Sequence, residues 1–277
     1  MEPPLVLARG SLVSHSSQEP ILVRPVFKQF LLVTIALATI NYTAGGILPV
    51  LRGRQPIGEI LLQNTVAWRD TVLARAPWIH SDSSTAMDSP QFEADKVAFA
   101  EDLMRTGHVD QQRADSLAAV AVHEAYVRQV PPALILGVML TENDVLKSSA
   151  RSKVGALGLM QVHPRPWRSL RSRFGSNLRD DKTNLKYGVY ILGYLLRTPA
   201  RPAADSVAPT ESWRLGLLRY NGCVTGSNTP SCHSYPDAVR KQVEQVAQSS
   251  CAGASFGRCV AQPLILNARR AALLRAE

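Results

Sequence analysis

The chain has 277 residues, 45% of them hydrophobic and 19% charged, with 17 glycines and 18 prolines. That length suits one domain of ordinary size with attachments, or two small domains, and the composition excludes a disordered chain, a collagen-like chain and a small disulfide scaffold. The 31 Lys and Arg against 22 Asp and Glu give a formal net charge of +9, which suits a polyanion or an acidic surface as partner. Nucleic acid is not expected, because no helix-turn-helix, zinc-finger or aromatic RNP signature accompanies the charge.

In chain order the first feature is residues 29–51, 23 consecutive uncharged residues between Lys28 and Arg52. As a helix they rise roughly 35 Å, enough for a hydrocarbon core of about 30 Å. They read as an uncleaved transmembrane signal anchor, with a cleaved secretory signal and a buried helix as alternatives. Residues 1–28 are then a cytoplasmic N-terminal segment, and 52–110 a juxtamembrane helical and linker region. Within it the pattern predicts an amphipathic helix over 57–79, a polar linker over 80–90 and helices around 91–106 and 111–129.

Pro131 and Pro132 suit the first turn of the next helix, where a missing amide hydrogen costs nothing. Along it Ile135, Val138, Met139 and Glu142 stand at i, i+3, i+4 and i+7, so a carboxylate continues the apolar face. Burial either supplies such an acid with a basic partner or raises its pKa until it stays protonated near neutral pH, as a general acid must be. The structural alternatives are a Glu pointing into solvent at a frayed helix end and one paired with a nearby Arg.

Ten residues on, Ser152 to Gln161 carries Gly155 and Gly158 three apart, followed by Pro164. This predicts a turn or small β excursion passing close to another backbone, able to cover a cleft. Asn184 can cap a helix carrying Leu185, Gly188, Val189, Leu192 and Leu195, and a proline-rich stretch interrupts the chain from Thr198 to Pro209. A further helix over 211–219 runs into the turn signal Tyr220-Asn221-Gly222. A last clear helix spans 235–246, and the tail after Cys259 shows little organisation beyond a short basic helix near 267–275.

Charge concentrates in 147–182, where nine basic residues face only Asp180 and Asp181. A solvated basic face is the plain alternative to an anion-steering one. The cysteines form two local pairs, Cys223 with Cys232 and Cys251 with Cys259, which need the least chain closure among three connectivities. Spacing of the C-x-x-C kind is absent, which argues against zinc. Disulfides imply an oxidising compartment.

Taken together, Glu142 at its helix end, Ser152-x-x-Gly155-Ala156-x-Gly158-Leu159-Met160-Gln161 with Pro164, Asn184-Leu185 with Gly188, Tyr220-Asn221-Gly222, and Tyr235 with Val239 resemble the catalytic domain of the soluble lytic transglycosylases. The resemblance covers roughly half the chain. It implies a mainly α, lysozyme-like catalytic domain with a small β/loop excursion, here over 111–250, followed by a C-terminal tail over 251–277 with a disulfide.

The same resemblance implies a carbon–oxygen lyase that cuts the MurNAc–GlcNAc β-1,4 bond of peptidoglycan and leaves 1,6-anhydro-MurNAc ends. Glu142 would be the acid and base. Ser152, Met160 and Gln161 would line the glycan subsites, with Tyr220 and Asn221 across the cleft. Two departures from the family pattern concern subsite detail. Asn143 stands where Ser usually follows the acid, and the segment from Glu142 to Gly155 is about one residue longer.

No cofactor or metal is expected. The expected partners are peptidoglycan strands, the inner membrane through the N-terminal helix, and cell-envelope machinery. The expected location is the bacterial inner membrane, single-pass, with the catalytic domain in the periplasm or otherwise outside the cytoplasm. Two other functions stay open: a lysozyme-type hydrolase of the same bond, and a non-catalytic glycan-binding scaffold. Hydrolysis ordinarily uses two carboxyl groups, and this chain offers one strong candidate. Asp144 would point away from Glu142 on a helix, and Asp180 and Asp181 suit capping.

Overall fold

Helices in this chain begin where a short polar side chain or a proline prepares the first turn. The computed structural model describes residues 72–79, 83–198, 212–223 and 232–273, all inside one unit spanning 62–277. After a short helix α1 (Ser83–Met87), Ser89 caps α2 (Pro90–Arg105) by accepting from the Phe92 amide, with Pro90 in the first turn. Asp110 caps α3 (Gln111–Arg128) through the Arg113 amide, and Gln129 ends it in the left-handed conformation. Pro131 and Pro132 open α4 (Pro132–Glu142). A single turn, α5 (Arg171–Phe174), precedes α6 (Asp181–Arg197), then come α7 (Ser212–Asn221), α8 (Tyr235–Val246) and α9 (Gln262–Leu273).

The sequence pattern placed one apolar stripe on α4, but every residue from Pro132 to Leu140 is buried. A helix that is apolar all round belongs at the centre of a bundle, and α4 packs against α8, α2 and α3. α3 in turn packs on α2 and α6, and α6 on α7. The few buried charges are paired or bonded. Asp102, fully buried on α2, accepts from the amides of Ser249 and Ser250 at 2.9 and 2.8 Å and pairs with Arg105. This fastens the loop closed by the Cys251–Cys259 disulfide. The other disulfide joins Cys223 and Cys232, so the two local pairs are the connectivity.

Mainly helical architecture is as expected. The β excursion is two isolated bridges, Arg151 with Leu157 and Leu157 with Val162, and the described residues contain no strand. Two expectations about the flanks need revision. The polar stretch 80–90 contains α1, and the helix expected near 267–275 belongs to a longer helical stretch that runs from Gly257 through Leu273, where Val260 and Leu264 bury themselves one turn apart.

The expected location in the inner membrane with a single pass is corrected. No helix among the described residues is long and apolar enough to cross a membrane. The longest, α3, has 18 residues but carries Arg113, Asp115, Glu124 and Arg128, and the most apolar, α4, has 11, about half the length a bilayer core requires. Residues 29–51, on which that expectation rested, lie outside the described residues, as does most of the helix expected over 57–79.

Candidate active site

Glu142 is the last residue of α4, so its backbone belongs to the buried helix while its side chain reaches the helix end. Burial pushes its carboxyl up to about 7, partly opposed by a hydrogen bond from Tyr235. That bond runs from the Tyr235 hydroxyl to Glu142 Oε1 at 2.6 Å. Tyr235 is the first residue of α8 and is itself buried. The packing of α8 on α4 therefore sets this contact. No cation pairs with Glu142 among the described residues, which distinguishes it from the buried Glu124, held by Arg128 at 2.8 Å.

Tyr220, near the end of α7, donates its hydroxyl to the Met160 carbonyl at 2.9 Å. Burial and the nearby Glu142 charge hold the Tyr220 phenol well above its ordinary pKa, and the same causes act on Tyr235. Both phenols thus remain protonated donors beside the acid. The site joins three chain regions: the end of α4, the Gly158–Gln161 turn and the facing ends of α7 and α8.

The turn is held from behind by one buried amide. Asn184 Oδ1 accepts from the Met160 amide at 2.8 Å, and its Nδ2 donates to the carbonyls of Leu157 and Leu178 at 2.8 and 2.9 Å. It was expected to cap α6. Asp180 does so, accepting from the Thr183 amide at 2.8 Å, and Asn184 sits one turn further in as a clamp. Gly158 meets this clamp with a φ of +77°, and a Cβ there would lie 2.3 Å from Asn184 Nδ2. Gly188 serves the opposite side, since a Cβ on it would lie 2.3 Å from Met160 Sδ.

The other expected site residues take definite places. Met160 is fully buried, so its contribution at the site surface is the carbonyl that receives Tyr220. Gln161 is half-buried with a φ of +44° and donates to the Gly158 carbonyl at 2.9 Å. Ser152 lies in the preceding turn, its hydroxyl accepting from the Ala156 amide at 3.0 Å. Asn221 is exposed at the end of α7.

Asn143, the departure next to the acid, is buried and its amide is engaged on both sides. It donates to the Lys147 and Gly158 carbonyls at 2.8 and 3.3 Å and accepts from the Lys147 amide at 3.1 Å. The longer amide side chain thereby ties the acid's helix end to the Gly158 turn across the extended loop.

The remaining acids nearby are committed elsewhere or exposed. Asp180 caps α6, Asp181 pairs with Arg113 at 3.0 Å, Asp237 pairs with Arg214 at 3.0 Å, and Asp144 is exposed. One half-buried carboxyl without an ion pair, with two donor phenols beside it, suits proton transfer to a bound ether oxygen. Residues 120–224 match the family model of the transglycosylase SLT domain, which belongs to the lysozyme-like superfamily.

The chain carries an SLT domain. Such a domain indicates an enzyme of the glycosidase or lytic transglycosylase type acting on peptidoglycan. No curated protein and no solved structure matches the chain. The SLT match contains Glu142, the Gly158–Gln161 turn, Asn184 and Tyr220, but stops short of Tyr235. Sequence reasoning placed Tyr235 on a packing face and gave it no role at the acid. Its signal was slight, an aromatic followed by Pro236 at a helix start.

Proposed function

We propose that the protein is a peptidoglycan lytic transglycosylase in which Glu142 is the sole general acid and base. The observation that carries this reading is the half-buried Glu142 carboxyl, raised to about 7 by desolvation and bonded by Tyr235, with no compensating cation among the described residues. Near neutral pH such a group is protonated often enough to donate and ionised often enough to accept.

On this reading Glu142 protonates the oxygen linking MurNAc to GlcNAc, and that bond breaks with the electron pair leaving on the oxygen. The substrate's own N-acetyl group stabilises the cationic carbon. The ionised Glu142 then takes the proton from the C6 hydroxyl of the same MurNAc as that oxygen closes onto C1. Internal attack draws on proximity, so no second carboxylate is needed to position a water. The commitment of Asp180, Asp181 and Asp237 to other partners supports this economy.

Gln161, Ser152 and Asn221 are proposed to line the glycan subsites, with Met160 acting through its carbonyl and Tyr220 closing the side next to the acid. The functional domain is proposed to span 111–250, because α3 and α8 both pack on the helix that ends in Glu142. All nine basic side chains of the 147–182 segment are exposed, which supports steering of an anionic wall polymer toward the site.

Mass spectrometry of digested cell wall tests the reaction. Muropeptides ending in 1,6-anhydro-MurNAc are the expected products. Products with a reducing-end MurNAc and no anhydro form would mean that water, not the C6 hydroxyl, attacks.

A further inference from the structure

α4 has two ends, and Glu142 occupies only one. At the other, Pro131, Pro132 and Ala133 help line a cavity of about 550 Å³, within the range of roughly 300–1,000 Å³ typical of small-molecule sites. With α4's 11 residues between them, this cavity and Glu142 lie about 15 Å apart along the helix axis. Apart from that first turn, the walls come from α2, from the 72–78 stretch, from Ser249 and Ser250 with the disulfide-closed loop that follows them, and from Pro263 at the start of α9, all outside the SLT match.

The lining is chemically two-sided. Asp95 contributes a carboxylate anchored by the Tyr126 hydroxyl and the Gln91 side-chain amide, both at 2.7 Å. Each of its oxygens keeps acceptor capacity for a further donor. Arg75 and Arg258 also line the cavity, both are exposed, and neither forms an ion pair with a described residue. The Ser250 hydroxyl, on the same wall, is buried without a hydrogen-bond partner. Pro132 and Ala133, the first residues of α4, line this space too, so the positive end of the α4 dipole lies beside it. Trp78 and small alanines supply the apolar remainder.

We propose that this cavity is a second binding site, for a short free peptide with both termini charged. The ammonium is received by Asp95, and the carboxylate by Arg75, Arg258 and the start of α4. A segment inside a larger protein would bring at most one terminus and leave one of these charged walls without a counterpart. Bare inorganic anions would leave Asp95 unmatched. Cavity size and the alanine walls suit a few small residues. The site stands independently of the reaction assigned to Glu142.

Titration calorimetry on the full chain tests the proposal with trialanine, its N-acetylated form and its C-terminal amide. Trialanine is expected to bind, and blocking either terminus to weaken binding by about ten-fold or more. In Asp95→Asn the N-acetylated and free peptides should bind alike, whereas in Arg258→Gln the penalty for the amide should shrink. Ala94→Trp, at an exposed cavity position on α2, should abolish binding. The Arg258 and Ala94 variants change exposed side chains, so the test survives if Asp95→Asn fails to fold. Absence of binding at millimolar trialanine, equal affinity for all three peptides, or unchanged discrimination in Arg258→Gln would overturn the proposal.

Discussion

Replacing Glu142 by Gln removes the ionisation but keeps the volume and an acceptor for Tyr235, so it isolates the cost of holding this acid in a buried site. Desolvation pushes the folded carboxyl up to about 7 from an ordinary 4.5, a difference worth about 3 kcal/mol at most and ~2–3 kcal/mol once partial solvent access is allowed for. The sign follows from linkage. An acid whose folded pKa is raised binds its proton more tightly when folded, so this group's contribution to stability falls as pH rises from 4.5 to about 7 and is then constant. Glutamine has no such term. In urea unfolding at about pH 4 and pH 8, the stability of Glu142→Gln relative to wild type should therefore rise by ~2–3 kcal/mol toward the higher pH. Curves that stay parallel between the two conditions would refute the reasoning, because they would mean that Glu142 sits in an environment no less polar than the unfolded chain.

Tyr235→Phe removes the phenol that favours the ionised carboxylate, so the alkaline limb of the pH–rate profile should move up by ~1 unit; an unmoved limb would show that the bond does not tune the acid. Gly158→Ala combines a positive φ with a Cβ 2.3 Å from Asn184 Nδ2 and 2.7 Å from the Leu178 carbonyl. Chemical denaturation should record a loss of ~2–4 kcal/mol, whereas a loss below ~0.5 kcal/mol would mean that the clamp yields freely. Binding of whole sacculi, measured by sedimentation, should weaken between about 50 and 500 mM salt if the exposed arginines of the 147–182 segment attract the wall polymer. Indifference to salt would remove that role.

Much of the helical frame was legible because its boundaries are local chemistry. Pro131-Pro132 marks a helix start by a preset φ, and α2, α3, α4 and α8 begin and end within a residue or so of the spans expected from the sequence pattern; the caps Ser89 and Asp110 at two of these starts emerge only in the structure. Glu142 was legible as an acid on an apolar helix, although the stripe that pointed to it is part of a helix buried on all sides.

Long-range amide and phenol contacts were not legible. Asn184 looks like a cap at any helix start, and only the fold brings Leu157, Met160 and Leu178 around its side chain. Likewise, nothing local distinguishes Tyr235 as a partner of an acid 93 residues earlier. Only part of the helical tail was legible, as a short basic helix near 267–275; its start at Gln262 was missed, because the burial of Val260 and Leu264 that anchors it depends on the fold.

The most direct measurement is turnover of purified sacculi by wild type beside Glu142→Gln, with soluble muropeptides counted by mass spectrometry. Wild type should release anhydro-ended fragments and the variant should lose turnover by a factor on the order of 10² or more, while still folded and still bound to the wall. Equal release from both proteins would contradict it, since the proton would then come from some other group.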